Sequence, residues 1–491
     1  GACRPTPPGP SPSSEGEGTR RGARRPRRTG VRLATLALAA LLPLASACTT
    51  APATGERIFT GGLSQERGKQ LGAEQHPKLL KQFGGAYDDR DLQNYVSSIG
   101  NLLAQTSELP QIDWTFTVLN SPVVNAFALP GGYVYVSRGL IALADNEAQL
   151  ASVLAHEIGH VTARHSAERY GSQQLAGLAT VLSGALLGRP AGQATAALSQ
   201  VAIASYSREQ ELEADTLGIR YLTRAGYDPD ASAAFLAKLQ AESELKAELA
   251  GNPDAANDFS LLQTHPRTME RVREAMARAE TSRVAEPMTA REVYLPKLDG
   301  LLYGHGPEQG YVRGTRFLHP ELRLAFQVPD GFRMQNGRTS VKAQGPGGIM
   351  VFAGAPKAQG RDPAVYLRDV WARGARLQAL TRIEVNGMPG ATALARASVQ
   401  GSRRTVRLAA VRYDRDTTYR FLFVPSDSGP PERLADTVLN SFRKLSAAEA
   451  RSLAPRRLRL YTVEPGDTPE RLARRLPYDD LPLRRFQVLN G

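Results

Sequence analysis

Cysteine is almost absent from this 491-residue sequence, which contains only Cys3 and Cys48. If the mature chain begins at or after position 48, no disulfide can form within it, and the fold must be stabilised by its hydrophobic cores. Hydrophobic runs long enough to span a membrane are lacking as well, and 42% of the residues are hydrophobic and 22% charged. This composition excludes a multi-span membrane protein and a largely disordered one.

The sequence also lacks a dense patch of lysine and arginine interleaved with aromatic residues, the pattern typical of nucleic-acid-binding proteins. The formal net charge is +13, but residues 1–32 hold eight arginines and two glutamates, a net +6, which leaves +7 for the rest. A balance of that size is compatible with contact to anionic envelope polymers or lipid headgroups. We expect no nucleic-acid partner.

The N-terminal segment has the organisation of an export signal. Residues 1–30 are rich in proline, arginine, glycine and serine, which predicts a non-folding extension. Residues 31–47 combine a basic flank, an apolar core of about a dozen residues and small residues at the end, as signal peptides do. Cys48 follows Leu44-Ala45-Ser46-Ala47, which is similar to a bacterial lipobox. We predict export to a bacterial periplasm or cell envelope, with a lipid anchor at Cys48 slightly favoured over plain secretion.

Residues 55–290 are predicted to form one α+β domain that is mainly helical and contains a small β-sheet. Helical apolar spacing runs through 62–106 and continues, after the sheet, to about 281. The strand-like segments are 114–118, 125–129 and 133–136, with the turn Pro130-Gly131-Gly132 between the last two. This order indicates a sheet with a hairpin.

Two helices of this domain have predicted N-terminal caps. Asn146, with Gln149 three residues later, opens a helix that carries His156 and His160 on one face. After residues 172–205, which we expect to form buried helices, Ser207 and Gln210 have the capping-box spacing and open a second helix.

The C-terminal half is predicted to contain a linker at 291–318 and an α+β domain of unknown role at 319–447. Its strand-like runs are 322–326, 348–352 and 420–423, and its clearest helical run is 364–377. A last segment, 458–491, begins with strand-like residues at 461–463, followed by a turn and helices.

The first capped helix carries residues whose spacing is typical of a catalytic zinc site. Histidines four positions apart on a helix aim their rings at one ion, and Glu157 lies on the edge of the same face. A carboxylate in that position can accept a proton from zinc-bound water, whose pKa the metal lowers toward 7. His156 and His160 are therefore predicted as ligands and Glu157 as the general base of amide hydrolysis.

The second capped helix can complete this site. A catalytic zinc takes three protein ligands, and His-His-Glu is one recurring set, which makes Glu211 the predicted third ligand. Asp215, one turn later on the same face, can accept the spare ring N–H of a ligand histidine. Glu209 and Glu213 are interpreted as solvated carboxylates.

Three motifs in this order resemble a known family. They are His156-Glu157-Ile158-Gly159-His160, Glu211-Leu212-Glu213-Ala214-Asp215, and Thr264-His265-Pro266 with Arg271. They are similar to the HtpX-like and BepA-like zinc metallopeptidases related to CaaX prenyl proteases. The resemblance implies a gluzincin fold, one Zn2+ per chain and a role in envelope protein quality control.

The same resemblance implies how a substrate is held. Asn125, Ala126, Phe127 and Ala128 match the family's strand over the cleft, so an extended or unfolded polypeptide is expected to add to this edge as another strand. Such a contact reads the backbone, and sequence selectivity should be weak.

His265 is the third predicted catalytic residue. Pro266 restricts the residue before it to an extended conformation, so the backbone aims the His265 side chain. The resemblance implies a position near the zinc. The ring is then either a fourth ligand that holds the enzyme latent or a donor that stabilises the oxyanion of the intermediate.

The tail at 458–491 resembles part of a LysM module, which implies peptidoglycan as a partner. Two functions stay open for the whole chain. The favoured one is a zinc-dependent endopeptidase acting on unfolded or misassembled envelope proteins. The alternative is a cell-wall-associated scaffold or holdase with a catalytically silent zinc site. Peptidoglycan hydrolysis has no support in the catalytic motifs.

Overall fold

A computed structural model of the protein describes residues 48–173, 205–251, 265, 269–399, 401–426 and 431–491. Within them the predicted α+β fold class is confirmed, and the chain divides into two compact units. The first unit comprises the described residues up to 246, those from 265 to 297, and 488–491. The second comprises 247–251 and the described residues from 298 to 487.

The first unit is mainly helical. Its helices are α1 (Gln65–Gln82), α2 (Arg90–Gln105), α3 (Arg138–Leu143), α4 (Glu147–Thr162), α5 (Arg208–Arg224), α6 (Asp230–Ala250, whose last residues belong to the second unit), α7 (Met269–Thr281) and α8 (Arg291–Leu298). A two-stranded ribbon joins β1 (Cys48–Thr50) to β2 (Arg57–Phe59). No disulfide involves Cys48 among the described residues.

The predicted small sheet is present. Its strands are β3 (Thr115–Leu119), β4 (Ala126–Leu129) and β5 (Tyr133–Ser137), in the order β3-β5-β4. The hairpin partners β4 and β5 are antiparallel, whereas β3 runs parallel to β5. β4 is therefore the edge strand of this sheet, and it packs against α4.

The helix caps follow the sequence signals with one difference. Ser207 and Gln210 form a complete capping box at the start of α5, which confirms that prediction. At α4 the Asn146 side chain accepts from the backbone N–H of Gln149 at 2.9 Å, but the Gln149 side chain accepts from the N–H of Asp145. The Gln149 side chain was predicted to bond to the backbone of Asn146, but it bonds to the preceding residue, Asp145.

Two glycines let α4 and α5 approach each other closely. A Cβ atom built on Gly159 would lie 3.1 Å from the carbonyl oxygen of Ala214, and one on Gly218 would lie 3.1 Å from the backbone nitrogen of His156. Both separations are shorter than ordinary van der Waals contact. A larger residue at either position would push the helices apart and move the acidic side chains of α5 away from the histidines of α4.

The second unit is built on antiparallel strands. Its strands are β6 (Tyr311–Arg313), β7 (Arg316–His319), β8 (Leu324–Gln327), β9 (Arg333–Asn336), β10 (Ser340–Gly345), β11 (Gly348–Gly354), β12 (Gln378–Val385), β13 (Met388–Val399), β14 (Ser402–Arg412), β15 (Thr418–Pro425) and β16 (Arg443–Lys444). They form a seven-stranded sheet, β12-β13-β14-β15-β11-β10-β9, and a four-stranded sheet, β16-β8-β7-β6. The predicted strands at 348–352 and 420–423 are confirmed within β11 and β15, whereas the one predicted at 322–326 begins only at Leu324, as β8, because 322 and 323 belong to a turn.

Short helices complete this unit, namely α9 (Pro363–Tyr366), α10 (Pro431–Ser441), α11 (Ala447–Ser452), α12 (Pro469–Ala473) and α13 (Pro482–Asn490), the last of which ends in the first unit. The predicted helix at 364–377 is too long. After α9 the chain continues as a π-helical turn, Leu367–Trp371. The helical segment ends before Gly374, whose φ of +84° lies in the left-handed region that favours glycine.

Two further expectations need correction. The predicted linker at 291–318 contains α8, β6 and most of β7, so it is structured. The strand predicted at 461–463 is absent, because the backbone pairing in this region stops at Arg457 and Leu458, which contact Leu302 and Leu301. The helices predicted there are present as α12 and α13, and the LysM resemblance stays a prediction.

The extension at 1–30, the signal peptide at 31–47 and almost all of the helices predicted at 172–205 lie outside the described residues. Among the helices that are described, none combines the length and the apolar character needed to cross a membrane.

Candidate metal and active site

The predicted ligand side chains meet at one point between α4 and α5. The Nε2 atoms of His156 and His160 are 3.0 Å apart. Glu211 reaches them from α5, with its Oε1 3.5 Å from Nε2 of His160 and its Oε2 3.6 Å from Nε2 of His156. These atoms are close enough to share a single ion.

His265 belongs to the same cluster. Its Nδ1 lies 3.3 Å from Nε2 of His156 and 2.9 Å from Oε1 of Glu211. The donor atoms of His156, His160, Glu211 and His265 all lie within 4.8 Å of one another. Three imidazole nitrogens and one carboxylate oxygen fit the ligand preferences of zinc. The structure therefore places His265 in the same cluster of candidate ligand atoms as His156, His160 and Glu211.

Glu157 lies beside this cluster with a buried carboxylate. It is 1% exposed, and neither of its oxygens has a hydrogen-bond partner among the described residues. The Nε2 atom of His265 lies 3.5 Å from Oε1 of Glu157. Burial raises the pKa of Glu157, and the neighbouring histidines offset that rise only in part. A buried carboxyl with a raised pKa is well placed to take up a proton.

Asp215 contacts the outer nitrogen of a predicted ligand. Its Oδ1 lies 2.9 Å from Nδ1 of His156, so the carboxylate is placed to accept that ring N–H and to fix the tautomer with Nε2 facing the cluster. Burial lowers the pKa of His156, but hydrogen bonds to Asp215 and Glu211 outweigh burial and raise it to about 10.

We predict that Asp215→Asn weakens zinc affinity or proteolytic activity by roughly ten- to a hundredfold, because changes at residues that orient ligands commonly have effects of this size. Zinc affinity is measured by competition with a chelator. Asp230→Asn, at an exposed position on α6, is the matched control. If Asp215→Asn had the zinc affinity and the activity of the wild type, Asp215 would have no role in supporting the metal site.

Arg271 is a member of the site to which sequence reasoning assigned no role. It is 3% exposed; its Nε and Nη2 donate to the two oxygens of Asp215 at 2.7 and 2.8 Å, and its Nη1 lies 2.6 Å from Oε2 of Glu211. Burial raises the pKa of Glu211, yet His265 and Arg271 hold it well below its ordinary value. Buried carboxylates require a countercharge. The prediction of Glu211 and Asp215 at one buried site could therefore have indicated a buried arginine beside them.

The predicted substrate strand lies at the edge of the sheet. Asn125 precedes β4, and Ala126, Phe127 and Ala128 lie within it. All four are buried, and the amide oxygen of Asn125 has no hydrogen-bond partner among the described residues.

β4 ends beside a cleft of about 400 Å³. Its walls include Leu63, Ile112, Pro130, Gly131, His160 and Val161. One wall is thus a predicted metal ligand, and another is the turn that directly follows β4. Of the four residues in the metal cluster, only His160 lines this cleft, and the other walls include both apolar and charged side chains.

Comparison with known proteins gives the class of the first unit. Residues 90–279 match the family described as Peptidase family M48. This region is therefore similar to the M48 peptidases, which are zinc-dependent. The matched segment contains every predicted ligand, Glu157 and Asp215, and the cluster of side chains within it could hold a metal ion.

Proteins similar to this chain carry protease names. The chain is 33% identical over 251 residues to the beta-barrel assembly-enhancing protease of Escherichia coli K12, covering 49% of this chain and 50% of that protein. It is 29% identical over 245 residues to the mitochondrial metalloendopeptidase OMA1 of Schizosaccharomyces pombe, covering 47% and 68%. The predicted resemblance to BepA-like zinc metallopeptidases is confirmed, and the chain spans about half the length of the bacterial relative.

Proposed function

We propose that this chain is a zinc-dependent endopeptidase that hydrolyses peptide bonds of unfolded or misassembled cell-envelope proteins. The observation that carries the proposal is the cluster of His156, His160 and Glu211 with the carboxylate of Glu157 beside it, buried and without a hydrogen-bond partner among the described residues. The M48 match and the names of the relatives support the same activity.

The residues of the site have three different roles, namely metal binding, proton transfer and the positioning of ligands. His156, His160 and Glu211 hold the zinc, which when bound acts as a Lewis acid and activates a water for attack on an amide. Glu157 accepts the proton of the attacking water and delivers it to the leaving amine, a task for which its raised pKa is suited. Asp215 and Arg271 keep His156 and Glu211 in place.

The substrate is held along β4. An edge strand has backbone groups available for an added strand, and the Asn125 amide oxygen is a further acceptor for a substrate N–H. A peptide in this position continues past Pro130 into the cleft, which takes one of its side chains. Recognition of this kind depends on an extended backbone and favours polypeptides that have lost their fold.

The location we propose is the bacterial periplasm or cell envelope. The export signal predicted at 31–47 supports it, and so does the name of the Escherichia coli relative, which refers to β-barrel assembly. A lipid anchor at Cys48 and peptidoglycan contact through 458–491 belong to the same proposal.

The test is digestion of casein, an unfolded protein, by the purified protein with and without a chelator. We expect cleavage that stops when the metal is removed and returns when zinc is added. Cleavage that is insensitive to the chelator would refute the zinc mechanism.

One observation favours the alternative function, a scaffold or holdase with a silent zinc site. His265 supplies a fourth protein donor, and four protein donors are typical of structural zinc sites. In that case the purified protein binds zinc and suppresses aggregation of an unfolded client but leaves casein intact. The buried carboxylate of Glu157 has no purpose in such a site, which is why we favour the enzyme.

His265 instead supports latency of the enzyme. Its Nδ1 lies among the ligand atoms and competes for the position that the attacking water needs. If the ring occupies that position most of the time, basal activity is reduced to the fraction of molecules in which it has moved away.

We predict that His265→Ala raises basal casein cleavage several-fold and weakens zinc affinity. His76→Ala, a change of a partly buried histidine on α1, is the control and should alter neither. A fall in cleavage with unchanged zinc content would assign His265 the oxyanion-donor role instead.

A further inference from the structure

The ring of His160 is held on its outer side by a second histidine. The Nε2 atom of His160 faces the ligand cluster, whereas its Nδ1 lies 2.8 Å from Nδ1 of His165. Nε2 of His165 in turn lies 3.1 Å from Oε2 of Glu213. Both histidines are 1% exposed, so little water competes for the contact between them. Glu213, interpreted from the sequence as a solvated carboxylate, is partly exposed but also contacts a buried histidine.

If His160 binds a metal through Nε2, these contacts are compatible with only one placement of the protons on His160 and His165. Nε2 then offers its lone pair, so the proton of the neutral ring is on Nδ1. That N–H donates to Nδ1 of His165, which must accept. The proton of His165 is therefore on Nε2, where it donates to Glu213, and an ionised carboxylate only accepts.

We propose that His165 and Glu213 are positioning residues that hold His160 in the orientation and tautomer of a metal ligand. The inference rests on the proposed metal site. His156 receives the equivalent support directly from the carboxylate of Asp215. Metal-binding histidines commonly donate their second ring N–H to a carboxylate, and here an imidazole stands between the two.

A bend in the backbone brings His165 to this position. On a continuous helix a residue five positions after His160 points about 140° away from it. Arg164 interrupts the helix with a φ of +60°, in the left-handed region that is uncommon for a residue with a side chain. The guanidinium of Arg164 donates to Oγ1 of Thr49 at 2.8 Å and to the carbonyl oxygen of Leu63 at 2.5 Å. These bonds hold the bend that turns His165 back toward His160.

Tyr206 restricts the remaining freedom of the ligand ring. Its ring stacks on that of His160, with centroids 3.8 Å apart and planes 17° apart. The Tyr206 hydroxyl lies 3.3 Å from Oγ of Ser166, in the helical segment that starts at His165. The face contact limits tilting of the His160 ring, and the contact with His165 limits its rotation.

The first test compares zinc affinities of Glu213 variants by competition with a chromogenic chelator. We expect Glu213→Ala to bind zinc roughly ten- to a hundredfold more weakly, the range usual for residues that orient a ligand. Glu213→Gln keeps an oxygen that accepts from His165 and should retain most of the affinity. Glu209→Ala removes an exposed carboxylate from the same helix and should bind zinc like the wild type.

The second test reads the tautomer directly. 15N NMR of histidine-labelled, metal-free protein shows which ring nitrogen of His160 carries the proton. We expect Nδ1–H in the wild type and a mixture of tautomers in Glu213→Ala and in His165→Phe, which fills the same space without nitrogens. A purely structural role for His165 and Glu213 would leave the tautomer unchanged. Should His165→Phe fail to fold, the Glu213 variants decide the question.

The inference is overturned if Glu213→Ala keeps wild-type zinc affinity, or if Glu213→Gln loses as much affinity as Glu213→Ala, which would make the negative charge responsible. These failures differ from failure of the proposed function. A wild-type protein that binds zinc but leaves casein intact refutes the endopeptidase alone. A wild-type protein that cleaves casein while Glu213→Ala binds zinc normally refutes the positioning role alone.

Discussion

Glu157→Gln is expected to keep its zinc and its fold but to lose casein cleavage by roughly 100- to 10,000-fold, the usual contribution of a general base. The amide has nearly the same shape as the carboxylate but cannot take a proton from water. Because neither Glu157 oxygen has a hydrogen-bond partner among the described residues, the substitution breaks no contact that the fold needs. Burial also opposes ionisation of Glu157, so the neutral amide should not lower thermal stability.

The measurements are zinc content, melting temperature and the rate of casein cleavage on the same preparation. Glu209→Gln, an exposed change on α5, is the control for handling and charge. A fully active Glu157→Gln with bound zinc would show that another group acts as the base.

Substitution of any one predicted ligand is expected to remove the metal itself. His156→Ala, His160→Ala and Glu211→Ala each remove one of the three predicted ligands, for which His265 on its own is not expected to substitute, and activity falls to background with the loss of zinc. This outcome separates the ligands from Glu157, whose loss leaves the metal in place. Metal analysis of the purified variants checks it, with His76→Ala as the control.

The three ligand variants should differ in stability after the metal is gone. Glu211→Ala removes a carboxylate 2.6 Å from the buried Arg271, and loss of one partner of a buried ion pair commonly costs about 3–5 kcal/mol. Asp215 still pairs with Arg271, so we expect a cost below that range. Thermal unfolding of the metal-free proteins measures the difference. Full zinc occupancy in all three variants would overturn the ligand set.

Local sequence patterns predicted the parts of the site that helices determine. His156 and His160 share a face because they are four residues apart, and α5 begins at a capping box that the sequence shows directly. Asp215 was predicted beside a ligand histidine for the same reason, since one turn separates it from Glu211. In the second unit, β8, β11 and β15 followed from runs of alternating or continuous apolar residues.

The parts that were missed depend on irregular backbone or on contacts distant in sequence. His165 reaches His160 only because Arg164 adopts a left-handed conformation, and helical periodicity would place it elsewhere. Arg271 lies 56 residues from the Asp215 carboxylate that it holds. The strand expected at 461–463 failed because a strand requires a neighbour with which to pair, and apolar alternation does not supply one.

The contact between Arg271 and Glu211 also bears on which metals the site can keep. Because Oε2 of Glu211 contacts the guanidinium, Oε1 is the oxygen that would be available to an ion. Calcium favours about six to eight oxygen ligands, often with carboxylates that bind through both oxygens. Zinc accepts four ligands and prefers imidazole nitrogen, which this cluster supplies three times. The chemistry of this ligand set therefore favours zinc over calcium and magnesium, even where both of those ions are abundant.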